Sequence, residues 1–152
     1  MVVCIIIFLS SLSWAWEGKC VGVEDGDTIK VMHDGKAERI RLYGIYCPEK
    51  GQAYGKDAKQ FTSDMVFGKT VHILAVDTDR YGRTVAWVYI RGRGGRNLNH
   101  DLVGVGLAWH YVQYAPDNPE LKKLQADARK NKRGLWQDPR SIPPWEYRKS
   151  RK

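Results

Sequence analysis

Between Arg41 and Glu49 the sequence reads Arg-Leu-Tyr-Gly-Ile-Tyr-Cys-Pro-Glu, with a guanidinium at one end and a carboxylate at the other. Strand alternation alone does not pair them, because Gly44 and Pro48 bend the path. The same bend can bring Arg41 and Glu49 back to one site. A fixed cation beside a potential base is what attack on a phosphodiester needs. A buried Arg–Glu pair is also a structural device, so this stretch alone leaves both readings open. Glu24-Asp25-Gly26-Asp27-Thr28 gathers three acids at a turn of a basic chain. Asp and Gly suit a hairpin turn on their own account. Hard oxygen ligands clustered at a turn also suit Ca²⁺, although the spacing and closing Glu of an EF-hand are missing. Asp79-Arg80-Tyr81-Gly82-Arg83 is a turn whose last residue starts a strand. An arginine there is ordinarily solvated. Offered to the same site as Arg41, it becomes a second guanidinium to share the charge growing on a pentacoordinate phosphate.

The elements that must position these groups follow from the hydrophobic pattern. Gly18 to Glu24, Thr28 to His33 and Arg39 to Ile45 read as strands, separated by Asp-Gly turns. Gly55 to Phe67 has helical spacing, with Ala58, Phe61, Met65 and Val66 on one face. Thr70 to Val76 and Thr84 to Ile90 are strands on either side of the Asp79–Arg83 turn, and a glycine–arginine loop, 92–95, follows. Asn97 caps a helix expected to run to about Trp109, weakened by Gly104 and Gly106. Glu120 to Lys132 is a charged amphipathic helix, and Ile142-Pro143-Pro144-Trp145 reads as an extended tail with a basic, frayed end. No internal repeat is visible. Five strands in a three-plus-two order, with a helix between the third and fourth, give a mainly β fold with helices (α+β). This is the element order of a five-stranded OB-fold barrel.

The chain has 152 residues, enough for one domain with a real core, and a net charge of +8. That charge favours an anionic partner, with nucleic acid first, ahead of a membrane surface or an acidic polysaccharide. Residues 1–15 read as a signal peptide: an apolar run from Val2 to Leu12, then Ser13-Trp14-Ala15 as a small-x-small cleavage site. The n-region cation is missing, and an uncleaved N-terminal anchor is the alternative. The expected division is a leader at 1–15, a domain at 16–137 and a basic tail at 138–152. Cleavage would leave Cys20 and Cys47, with no strong reason to pair and no zinc spacing around them. His33, His72, His100 and His110 are scattered, as surface or core residues are.

Taken together and in order, the Asp25–Thr28 turn, Arg41-Leu42, Pro48-Glu49 and the Asp79–Arg83 turn resemble the staphylococcal nuclease family. The resemblance runs from about Lys19 to Trp136, and the last residues look like those of secreted bacterial members. It implies an OB-fold barrel with three helices and calcium-dependent hydrolysis of DNA and RNA to 3′-phosphate ends by a monomer. By position, Arg41 and Arg83 would stabilise the phosphorane and Glu49 would be the general base. Asp27 would be a calcium ligand, with the Cys47 backbone carbonyl as another and Asp25 as a weaker neighbour. Arg80, Tyr81 and Tyr114 would contact substrate. Tyr46 departs from the pattern, since the family carries there an Asp that binds calcium. A phenol is a poor ligand for a hard cation. The alternatives are a nucleic-acid-binding OB module without catalysis, and an exported structural or polysaccharide-binding protein.

Overall fold

The computed structural model describes residues 14–91 and 95–152. The expected leader therefore lies outside the described residues except for Trp14 and Ala15, and so does most of the 92–95 loop. Strand β1 spans Trp14–Asp25, longer than its sequence pattern suggests. Its first half pairs antiparallel with β5 (Thr70–Thr78), Trp16 opposite Ile73. Its second half pairs with β2 (Thr28–His33), Val23 opposite Ile29. Register shifts in β1 between Cys20 and Gly22 and between Val23 and Asp25 bend the strand so that it serves both partners.

β2 continues into β3 (Lys36–Leu42), and β5 pairs with β6 (Thr84–Ile90). The barrel closes where β3 meets β6 in parallel, with Ile40, Arg41 and Leu42 opposite Thr84, Val85 and Ala86. The five strands expected of the sequence therefore form a closed barrel, a mixed α+β architecture of OB type. Ile29, Ile40, Ile73 and Val88 fill it and are fully buried.

The third strand stops earlier than its apolar pattern. Gly44 adopts φ +72°, and a side chain there would meet Leu121 and Ala115. After this kink Ile45–Tyr46 forms a short strand, β4, which pairs with β8 (Trp109–His110). Helix α1 spans Gly55–Val66, and β7 is the dipeptide Arg96–Asn97.

Helix α2 covers only Leu98–Gly104, not the stretch to Trp109 that its apolar spacing suggests. Gly106, at φ +76°, turns the chain out of the helix and into β8. Its Asn99 is buried and joins three segments. The side-chain amide donates to the carbonyls of Tyr43 (3.0 Å) and Ala86 (3.1 Å) and accepts from the Val88 amide (3.1 Å).

Helix α3 spans Pro119–Lys130, with Asn118 as its cap. A 3₁₀ turn at Gly134–Gln137 tucks Leu135 and Trp136 inward, as expected. The tail differs from expectation. It is not extended throughout but forms a fourth helix, α4, at Pro144–Lys149. Prolines at the start of a helix cost no hydrogen bond, and the Pro143-Pro144 pair is the helix entry. Trp145 settles against Tyr111 (5.1 Å between centroids) and Trp109 (6.1 Å), while Gln52 donates to the Ile142 carbonyl (2.9 Å). Cys20 and Cys47 are free, buried thiols.

Candidate active site

The parallel seam of the barrel brings the two expected arginines together. Arg41 lies on β3 opposite Val85, and Arg83 immediately precedes β6. Both line one cleft of about 490 Å³, with Tyr46, Arg80, Tyr114 and Arg148.

Arg41 is largely buried and held from behind. Nη1 donates to the Leu42 carbonyl (2.6 Å) and Nη2 to that of Ile45 (2.8 Å). Asp27 Oδ2 sits 3.4 Å from the same Nη2. A guanidinium has more donors than these contacts use, so some remain for a phosphate. Asp27 is 6% exposed, and its Oδ2 accepts the Cys47 amide (2.7 Å) while Oδ1 accepts the Thr28 hydroxyl (3.2 Å). The Asp27 turn thus fixes Arg41 and, through the Cys47 amide, the start of the segment that carries Glu49.

Arg83 is held by a residue the sequence reading did not single out. Asp79 Oδ2 accepts from Arg83 Nε (2.7 Å), and Oδ1 accepts from the amides of Arg83 (3.0 Å) and Tyr81 (2.9 Å). Burial pushes the Asp79 carboxyl up, but these hydrogen bonds outweigh it and hold it below the usual carboxylate range. Arg80 donates to the Tyr81 hydroxyl (2.8 Å) and lies over its ring. Tyr81 and Tyr114 are exposed, as a substrate-contacting role requires.

Arg41 and Glu49 are not a direct pair, and Glu49 is not among the residues that line the cleft. The connection passes through Tyr46 and the tail. Two guanidiniums approach the Tyr46 ring, Arg41 at 4.8 Å and Arg148 at 5.5 Å from its centroid. Arg148 Nη2 donates to both the Tyr46 hydroxyl and Glu49 Oε1. The Glu49 amide is bound to Gln52 Oε1 (3.0 Å), and Gln52 in turn holds the Ile142 carbonyl of the tail. Tyr111 joins Tyr46 and Tyr114 in an aromatic wall of the cleft, with centroids 5.4 and 5.0 Å away. Nothing local in the sequence marked Arg148, one of many cations in a basic tail. Asp79, by contrast, stood inside a motif already singled out.

The resemblance implies calcium, and the donors present can be compared with what that ion takes, about six to eight oxygens. Both Asp27 oxygens already accept hydrogen bonds from the protein. Burial, then the charges of Asp27 and Glu49, raise the Asp25 carboxyl above its ordinary value. Glu24 is turned away, bound to Arg39 (2.7 Å) and Lys30 (3.3 Å). Tyr46 offers a single phenolic oxygen, which already accepts a hydrogen bond from Arg148. Among the described residues no group of three or more His, Cys, Asp or Glu side chains is placed to hold a metal ion. This donor set does not fit a tightly held Ca²⁺.

Residues 39–138 match the family model described as "Staphylococcal nuclease homologue". The chain belongs to this family. As a staphylococcal nuclease homologue it is a hydrolase of the nuclease class. It is similar to a protein of Escherichia coli named "Uncharacterized endonuclease", 47% identical over 131 residues that cover 86% of this chain and 84% of the relative. It is also similar to the "Micrococcal nuclease" of Shigella flexneri, 36% identical over an alignment covering 97% of this chain and 90% of the relative. "Protein ParB" of Escherichia coli is 39% identical over 95% of this chain and 86% of its own length. The family match starts after the Asp25–Asp27 turn and stops before α4.

Proposed function

We propose that this staphylococcal nuclease homologue is a non-specific endonuclease that hydrolyses phosphodiester bonds of DNA and RNA to 3′-phosphate ends. The observation that carries this reading is the convergence of Arg41 and Arg83 on one cleft from opposite sides of the β3–β6 seam. In this reading their charges meet the negative charge that grows on the phosphate oxygens, and Asp27 and Asp79 hold them in place beforehand. Glu49 takes a proton from the attacking water as its oxygen bonds to phosphorus. The bond from phosphorus to the 5′ oxygen breaks, and that oxygen takes a proton from solvent. Tyr81, Tyr114 and Arg80 offer an exposed stacking and phosphate-binding surface, which every base can use.

Purified protein incubated with plasmid, single-stranded DNA and RNA tests this. Glu49→Gln and Arg83→Ala are each expected to slow cleavage by about a hundredfold or more. Unchanged rates in both would refute the mechanism.

A second reading, a nucleic-acid binder without cleavage, draws support from the Arg148–Glu49 pair, which engages the base. It predicts retardation of DNA that stays intact. Nicking that disappears in Glu49→Gln counts against it.

We also infer export, from the apolar leader. Cleavage after Ala15 leaves Trp16 first, stacked on His33 at 3.9 Å, so the new end stays anchored in β1. N-terminal sequencing of the protein recovered from a periplasmic or culture fraction checks this, and a start at Met1 speaks for the anchor.

A further inference from the structure

Arg148 faces the cleft from a part of the chain that lies beyond the family match. Its position is built rather than incidental. Pro144 is buried, Trp145 packs on the aromatic wall, and Gln52 ties the preceding carbonyl of Ile142 to the loop that carries Glu49. The guanidinium uses Nη2 for both the Tyr46 hydroxyl and Glu49. Nε and Nη1 make no hydrogen bond among the described residues, which leaves a donor edge for a phosphate oxygen. Arg41 also approaches the Tyr46 ring, and both guanidiniums line the same cleft. Of the nearby carboxylates, Asp27 and Glu49 are already engaged by the protein, and among the described residues no group of three or more His, Cys, Asp or Glu side chains is placed to hold a metal ion.

We propose that Arg148 is a phosphate-binding residue of this active site, and that it supplies there the positive charge that the carboxylate set is too weak to draw from calcium. The proposal rests on the nuclease reading above. When a phosphodiester enters, Arg148 exchanges the Glu49 carboxylate for a non-bridging phosphate oxygen. Glu49 is then released to accept the proton of the attacking water. The same motion brings cation to substrate and uncovers the base, so the resting pair protects both groups without disabling them. Cleavage consequently continues when divalent metal is removed.

The test uses the whole protein, with cleavage of plasmid followed in excess EDTA and in saturating calcium. The wild type is expected to cut at rates within about threefold in the two conditions, and Arg148→Ala to cut at least about tenfold slower in EDTA. Arg148→Lys recovers part of the loss. Lys149→Ala, which removes an exposed neighbouring charge, cuts as the wild type does. Binding of single-stranded DNA by Arg148→Ala, measured against salt, loses slope by about one phosphate contact, a change that a purely structural role would not produce. If Arg148→Ala does not fold, Arg148→Gln carries the same comparison. Loss of wild-type cleavage in EDTA with recovery in calcium overturns the proposal. So does an Arg148→Ala protein as fast as the wild type or faster, or a Lys149→Ala protein as slow as Arg148→Ala. Absence of wild-type cleavage in every condition refutes the nuclease reading instead.

Discussion

Asp79 accepts three hydrogen bonds from the Tyr81–Arg83 turn and so decides where Arg83 points. It is a positioning residue, and its removal should appear as slower chemistry more than as weaker binding. Asp79→Ala is expected to lower kcat by about tenfold or more with a smaller change in KM. An unchanged kcat would mean that Arg83 finds its place unaided. The Asp79 carboxyl is held below its ordinary value in the folded chain. The stability this contributes is fully present above the ordinary carboxylate pKa and is lost as pH falls through the lowered one. Acid should therefore loosen the Asp79–Arg83 turn, and Asp79→Asn should flatten that part of the stability profile. At this scale the sequence was legible wherever residues sit in one short turn. Asp25 and Asp27 share one turn, and Arg80, Tyr81 and Arg83 share another. Arg148 was not legible, because its partners lie about a hundred residues away and only the packing of Trp145 brings it back.

Asn99 shows what an element can owe to one buried polar group. Its amide satisfies the Tyr43 and Ala86 carbonyls and the Val88 amide, tying α2 to β6 and to the turn after β3. Asn99→Ala leaves those groups without a side-chain partner inside the protein. Chemical denaturation should show a loss of about 3 kcal/mol, and a change below about 1 would mean that the backbone groups find other partners. The elements themselves were legible where periodicity and punctuation agreed. β2, α1, the β5–β6 pair and α3 fall close to where alternation or helical spacing placed them, while β1 is longer and β3 is shifted towards the N-terminus. The errors occurred where a glycine with positive φ overrode an apolar run. Gly44 cut the third strand and created β4, and Gly106 ended α2 early and released β8. Helix α4 was missed because Ile-Pro-Pro-Trp suggests extended chain, and the two prolines serve there as its entry.

For the molecule as a whole, the +8 charge draws in any polyanion, while the cleft decides what is done with it. The barrel lets a small domain carry such a site because its strands fix side chains from distant parts of the chain in one frame. That frame has a price in time. The pairing of Ile40–Leu42 with Thr84–Ala86 must wait for α1 and β5 to be placed between them, since it closes a long loop. Arg41 lies in this seam and Arg83 immediately precedes it, so the two arginines are expected to stay apart until the seam closes. On refolding from denaturant, cleavage should return later than the far-ultraviolet signal, and the lag measures closure of the barrel. Simultaneous recovery would place the seam in the folding nucleus. A chain that must cross a membrane before its barrel closes would travel without an assembled active site.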